Sequence, residues 1–289
     1  MFEGSGVALV TPFKDGKIDE PALAALIEAQ IEGGTQVLVP CGTTGESATL
    51  SHEEHDRVID IAVSAAQGRV PVLAGAGSNA TAEAIRLTQH AKKAGADGAL
   101  HICPYYNRPT QEGLFRHFEA VAKSADFPIV LYNIPGRTGV NLLPKTVARL
   151  AKLDNIVGIK EASSLGQVSD LIEQCPPQFA VLSGEDSLTF PMLGLGAKGA
   201  ISVTANLLPK LCREMFDAVS GGNWNRAQQI HFALAEMNRV LFIETNPAPV
   251  KAALGVMKKI VPELRLPLVS VDDESLEELK KALHSYRLL

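Results

Sequence analysis

Cysteine is scarce and scattered in this 289-residue chain. Cys41, Cys103, Cys175 and Cys212 lie far apart and none belongs to a CxxC pair. That argues against a secreted disulfide scaffold and predicts ordinary small apolar thiols in a reducing cytoplasm. Runs of Lys or Arg are missing, and the net charge is −5 with a pI near 5.8. A nucleic-acid groove is therefore not expected. No apolar run approaches the ~18 residues of a membrane span. The start, MFEGSGVALV, lacks a basic stretch followed by a long apolar core, so no signal peptide is read there. Linkers, low-complexity tracts and long-period repeats are missing too.

What is present is a hydrophobic pattern that switches repeatedly. Short β-branched runs (GVALVTP, QVLVPCG, VPVLAGAG, GALHICPYY, PIVLYNIP, IVGIKEAS, FAVLSGED and GAISVTAN) alternate with stretches of helical spacing such as TAEAIRLTQHAKKAG. Gly33, Gly95 and Gly166 stand at breaks where a left-handed helix cap is expected. Strand–helix alternation gives parallel pairing with right-handed crossovers, and eight units fit a closed (β/α)8 TIM barrel. A doubly wound open sheet is the alternative. From about Asn223 only helical spacing is read, which predicts a barrel over 1–222 and a C-terminal helical extension over 223–289.

The stretch IVGIKEAS, 156–163, sets an ammonium in an apolar strand. Strict alternation puts Ile156, Gly158 and Lys160 on one side and Val157 and Ile159 on the other. Lys160 then points into the barrel near the C-terminal strand end, where barrel enzymes keep their sites, with Gly158 leaving room beneath. Desolvation favours a neutral amine, a nucleophile for carbonyls, so Lys160 is a candidate Schiff-base lysine. A lysine snorkelling to solvent is the plainer reading. YNIPGRTG, 132–139, offers Tyr132 as a proton shuttle one strand away and Arg137 as a carboxylate grip. GTTGES, 42–47, reads as a tight loop with exposed N–H groups, where Thr43 and Thr44 could bind a small acid. A core aromatic, a solvated arginine and a simple turn are the bland counterparts.

Two tempting motifs are weak. GAGSNA, 75–80, matches GxGxxA, but Asp97 precedes the next strand instead of ending it, so nucleotide binding is not expected. His52 and His55 in SHEEHDRV lack the HExxH pattern, and Ser51 with Glu54 reads as a capping box. No catalytic metal is expected.

GTTGES, PYYNRPTQEG, YNIPGRTG, GIKEAS and ISVTAN, in this order and spacing along nearly the whole chain, resemble the pyruvate-dependent class I aldolases of the N-acetylneuraminate lyase family. The resemblance implies that Lys160 forms an imine with pyruvate, Tyr132 relays protons, and Thr43 links it to Tyr106. That second tyrosine would come from a neighbouring subunit. Thr44 would hold the pyruvate carboxylate and Arg137 that of L-aspartate-4-semialdehyde. Gly184 and the backbone of Ile201 would line the lysine pocket. No external cofactor is implied. The branch indicated makes a precursor of L-lysine on the diaminopimelate route. Sister enzymes acting on sialic acid or keto-deoxy sugar acids are the alternative, with Arg137 as discriminator. The resemblance further implies feedback by L-lysine at Ser47, Ala48, His52, His55, Asn79, Glu83 and Tyr105, and a homotetramer built as a dimer of tight dimers.

Overall fold

The computed structural model describes residues 2–289. Eight parallel strands follow the eight expected runs: β1 (Gly4–Ala8), β2 (Val37–Val39), β3 (Leu73–Gly75), β4 (Gly98–Ile102), β5 (Ile129–Asn133), β6 (Ile156–Glu161), β7 (Ala180–Ser183) and β8 (Gly199–Ser202). They pair in the order β2-β1-β8-β7-β6-β5-β4-β3, and a Leu38–Val72 bridge between β2 and β3 closes the ring. Pro40 and Pro71 flank that seam. Neither has an N–H to donate, so the ladder there stays short. Their carbonyls accept from Gly75 N (2.9 Å) and Leu38 N (3.0 Å).

Helices α1 (Glu20–Glu32), α2 (His52–Ala66), α3 (Thr81–Ala94), α4 (Gln111–Ser124), α5 (Pro144–Leu150), α6 (Leu165–Gln174), α7 (Thr189–Leu195) and α8 (Pro209–Ser220) surround the strands. α2 begins with the expected capping box of Ser51 and Glu54. Burial follows the period of 2: on β5, Ile129 and Leu131 meet the helices, while Val130 and Tyr132 fill the interior beside Leu100, Leu182 and Ile201. The result is an α/β TIM barrel.

Three local expectations need correction. β6 does not alternate strictly. Its register against β5 slips between Ile129 and Val130, which face Ile156 and Gly158, so Val157 is an extra residue. Ile156 and Ile159 thus both face outward, and Val157 turns to the interior. Gly158 does not make room for a lysine either: a Cβ there would lie 2.5 Å from Ala180 O on β7. Of the three glycine caps only Gly95 (φ +91°) is left-handed, since Gly33 has φ −74° and Gly166 lies in the first turn of α6.

Three more helices follow the barrel: α9 (Trp224–Val240), α10 (Ala248–Val256) and α11 (Asp273–Ser285). Met237, Val250, Leu254 and Leu283 pack with Val10, Leu26, Val203 and Leu207 of the barrel. The stretches 241–247 and 257–272 are not helical, contrary to the purely helical reading of this region. A small hairpin, Phe13–Lys14 with Lys17–Ile18, also escaped the pattern. Asp15 (φ +53°) and Gly16 (φ +75°) form its two-residue turn, the conformation that Asp-Gly favours.

Candidate active site

Lys160 and Tyr132 are register partners near the C-terminal ends of β6 and β5. Lys160 is 6% exposed, and its Nζ stands 4.2 Å from the Tyr132 ring centre. Among the described residues no carboxylate forms an ion pair with it. Gly184, just after β7, is the glycine that gives it space. A Cβ there would lie 3.0 Å from Lys160 Cε and Cγ. Ile201 on β8 shares the interior cluster with Tyr132.

The 42–47 loop uses only part of its backbone internally. The N–H groups of Gly45, Glu46 and Ser47 are consumed inside it, bonding Gly42 O, Thr43 O and Gly42 O. Those three are not free for an anion, whereas the N–H groups of Gly42, Thr43 and Thr44 have no backbone acceptor among the described residues and stand beside the Thr43 and Thr44 hydroxyls. Thr44 is buried and its Oγ1 accepts from Asn246 Nδ2 at 3.0 Å. Arg137 sits exposed in the helical turn Pro135–Thr138, and its Nη2 donates to Asn246 O at 3.1 Å. Tyr106 (φ +69°) is 90% exposed, outside the recess that buries Lys160 and Tyr132.

The second residue set gathers where α2 and α3 begin. His52 Nε2 meets Glu83 Oε1 at 2.6 Å, and the Ser78 hydroxyl donates to the other Glu83 oxygen. Those two bonds, Ser78's first, hold the Glu83 carboxyl below its usual range. Asn79 Nδ2 donates to Tyr105 O at 3.3 Å. Ser47, Ala48, His52, Asn79 and Tyr105 are at least partly open to solvent. His55 is not: it is 5% exposed, and burial pushes its imidazole down to about 4. Asp97 accepts from Val72 N near the start of β3, at the opposite end of that strand from GAGSNA. Among the described residues no cluster of three or more side chains could hold a metal, and no helix is long and apolar enough to cross a membrane.

Sequence reasoning missed several supporting residues. Glu46 and Lys251 form an ion pair at 2.6 Å with both side chains fully buried. Lys251 Nζ also donates to Thr11 O at 2.9 Å and lies 4.3 Å from the Phe13 ring centre. The signal was legible: APVKAALGV carries one cation among apolar residues, the same anomaly that marks Lys160. Behind Tyr132 and Lys160, the next register pair is Asn133 and Glu161, turned the other way and fully buried. Glu161 accepts from Asn133 Nδ2 (3.1 Å) and Gln167 Nε2 (3.0 Å), and burial raises its carboxyl pKa.

The sequence model of the dihydrodipicolinate synthetase family matches residues 1–286. The chain belongs to that family. A 4-hydroxy-tetrahydrodipicolinate synthase of Syntrophus aciditrophicus (strain SB) is 59% identical over all of both chains. Dihydrodipicolinate synthase from Aquifex aeolicus superposes with a TM-score of 0.98 at 49% identity, covering 99% of each chain. Two further family structures carry ligands. The Acinetobacter baumannii enzyme, described as chloride-inhibited and complexed with pyruvate, has a TM-score of 0.98 and 44% identity, with all of both chains covered. The Cyanidioschyzon merolae enzyme with lysine bound has a TM-score of 0.97 and 40% identity, covering 100% of this chain and 99% of that one. The chain is thus an enzyme, a synthase of the dihydrodipicolinate synthetase family, and these comparisons do not favour the sugar-acid alternative.

Proposed function

We propose that this synthase joins pyruvate to L-aspartate-4-semialdehyde through an imine on Lys160. The observation that carries the reading is an amine buried without a counter-ion beside Tyr132. A buried side chain with no carboxylate partner is costly to keep for structure alone, which leaves its Nζ as a group held for chemistry. The amine adds to the pyruvate ketone, water leaves, and the protonated imine forms. Loss of a C3 proton through Tyr132 gives an enamine, whose carbon attacks the aldehyde. The amino group of the second substrate then closes the ring at the imine carbon. That releases Lys160 and 4-hydroxy-tetrahydrodipicolinate. The imine is its own electron sink, so no external cofactor is required. Thr43 joins Tyr132 to Tyr106 of a partner subunit, Thr44 holds the pyruvate carboxylate, and exposed Arg137 takes that of the aldehyde.

The 90% exposure of Tyr106 suits a side chain donated across an interface, within a tetramer of two tight dimers. The half-open group around His52 and Glu83 suits an amino-acid effector: the carboxylate meets its ammonium. We assign L-lysine to it, in keeping with the lysine-bound relative. Four free, buried cysteines fit a reducing cytoplasm.

Borohydride reduction with pyruvate, followed by intact mass and peptide mapping, tests the mechanism. A single pyruvyl adduct on Lys160, lost in Lys160→Ala, is expected. An unmodified folded protein, or an adduct on Lys251, would remove the imine reading. Turnover measured with and without L-lysine reports the feedback.

A further inference from the structure

One residue of the C-terminal extension reaches both proposed carboxylate grips. Asn246 bonds the Thr44 hydroxyl through its amide and Arg137 through its backbone carbonyl. It is 5% exposed, and its Oδ1 is buried with no hydrogen-bond partner. A buried carbonyl left without a donor costs stability, and the only side-chain bond of this amide among the described residues is the one its other end, Nδ2, makes to Thr44.

That other end sets the direction of one proton. A hydroxyl has one hydrogen to donate and lone pairs to accept with. Because Thr44 Oγ1 accepts from Asn246 Nδ2, its own hydrogen is kept for a different acceptor. The residues after Thr44 cannot shift to change this. Gly45 O accepts from Thr11 Oγ1 at 2.7 Å, and Glu46 is locked to Lys251 at 2.6 Å. The backbone of the loop is pinned on one side, and the amide orients the hydroxyl on the other.

We infer that Asn246 is a positioning residue, fixing the Thr44 hydroxyl as a hydrogen-bond donor to the carboxylate of the keto acid. The inference rests on the role proposed above for Thr44. It makes the C-terminal extension part of substrate recognition, through a residue in the non-helical connector before α10. Arg137 is held by the Asn246 backbone, which a side-chain change leaves in place, so the two substrates should respond differently.

The test is the half-saturating pyruvate concentration, read by borohydride trapping and by steady-state kinetics. Asn246→Ala should raise it about fivefold, the scale of one lost hydrogen bond, while the KM for the aldehyde moves little. Asn246→Asp should be worse than Asn246→Ala, because a carboxylate would draw the Thr44 hydrogen toward itself. In a Thr44→Val background, Asn246→Ala should add nothing. A purely structural amide predicts the reverse: Asp milder than Ala, and effects that add in the double variant. Either of those results, or an unchanged pyruvate requirement in Asn246→Ala, overturns the inference. Asn246→Asp, nearly isosteric, carries the test if the alanine variant does not fold. The two readings fail separately. An unaffected Thr44→Val removes the Thr44 role and the inference with it. An impaired Thr44→Val beside an unaffected Asn246→Ala removes only the inference.

Discussion

Two buried lysines should respond to the same substitution in opposite ways. Lys251 is fully buried but faces Glu46 at 2.6 Å, whereas Lys160, 6% exposed, has an aromatic ring and no carboxylate. Lys251→Met strands the Glu46 carboxylate in the core. Breaking a buried pair from one side costs ~3–5 kcal/mol. At roughly 2–4 °C per kcal/mol for a large domain, the melting temperature should fall by about 10 °C. Burial already draws the Lys251 ammonium below its usual range despite Glu46. The pair as a whole is therefore close to break-even, and adding Glu46→Gln should recover most of the loss. Lys160→Met removes a buried amine that has no carboxylate partner and replaces it with an apolar chain of similar length. Its melting temperature should hold or rise, while borohydride trapping and turnover disappear. Calorimetry on the three variants, paired with trapping, decides the matter. A drop in Lys160→Met as large as that in Lys251→Met would refute the reasoning, because Lys160 would then be holding structure.

Gly184→Ala should slow imine trapping about tenfold with little change in stability. Its methyl would sit 3.0 Å from Lys160 Cε and Cγ, displacing a flexible stem by a few tenths of an ångström; normal trapping would contradict that. Acid should weaken the fold through His55, His101 and His117, which burial pushes down to about 4, 3 and 4. Depressed histidines bind protons more readily when unfolded. Their contribution is complete above ~6.5 and is lost as pH falls, by roughly 2 kcal/mol each at pH 5. Urea midpoints at pH 7 and pH 5 measure this, and a flat profile would rule it out.

The barrel was legible because most of its strands are apolar runs ended by Gly or Pro, and period 2 placed Tyr132 inside. β6 shows where that rule stops. One extra residue at Val157 shifts half a strand, and nothing in IVGIK announces it. Lys160 still faces inward because the slip lies below it. The 42–47 loop was read as having exposed N–H groups because glycines free the backbone; its first half keeps them, while the N–H groups of Gly45, Glu46 and Ser47 fold back on Gly42 and Thr43. Asn246 was unreadable as a site residue for another reason, and for Lys251 the lone cation in APVKAALGV showed an anomaly but not its partner. Their partners lie some two hundred positions away, and no local pattern carries a contact of that separation.

That separation has a consequence for how the chain is made. Glu46 and Lys251 stand 205 residues apart, and Thr44 and Asn246 stand 202 apart. At about 5–20 residues per second, a ribosome needs roughly 10–40 s to supply the partners of a loop it has already released. During that interval the loop holds an unneutralised carboxylate and an unaimed hydroxyl. A chain that stops short of α10 can own every strand of the barrel and still lack its counter-ion. Completion of the last helices is thus read directly in the 42–47 loop.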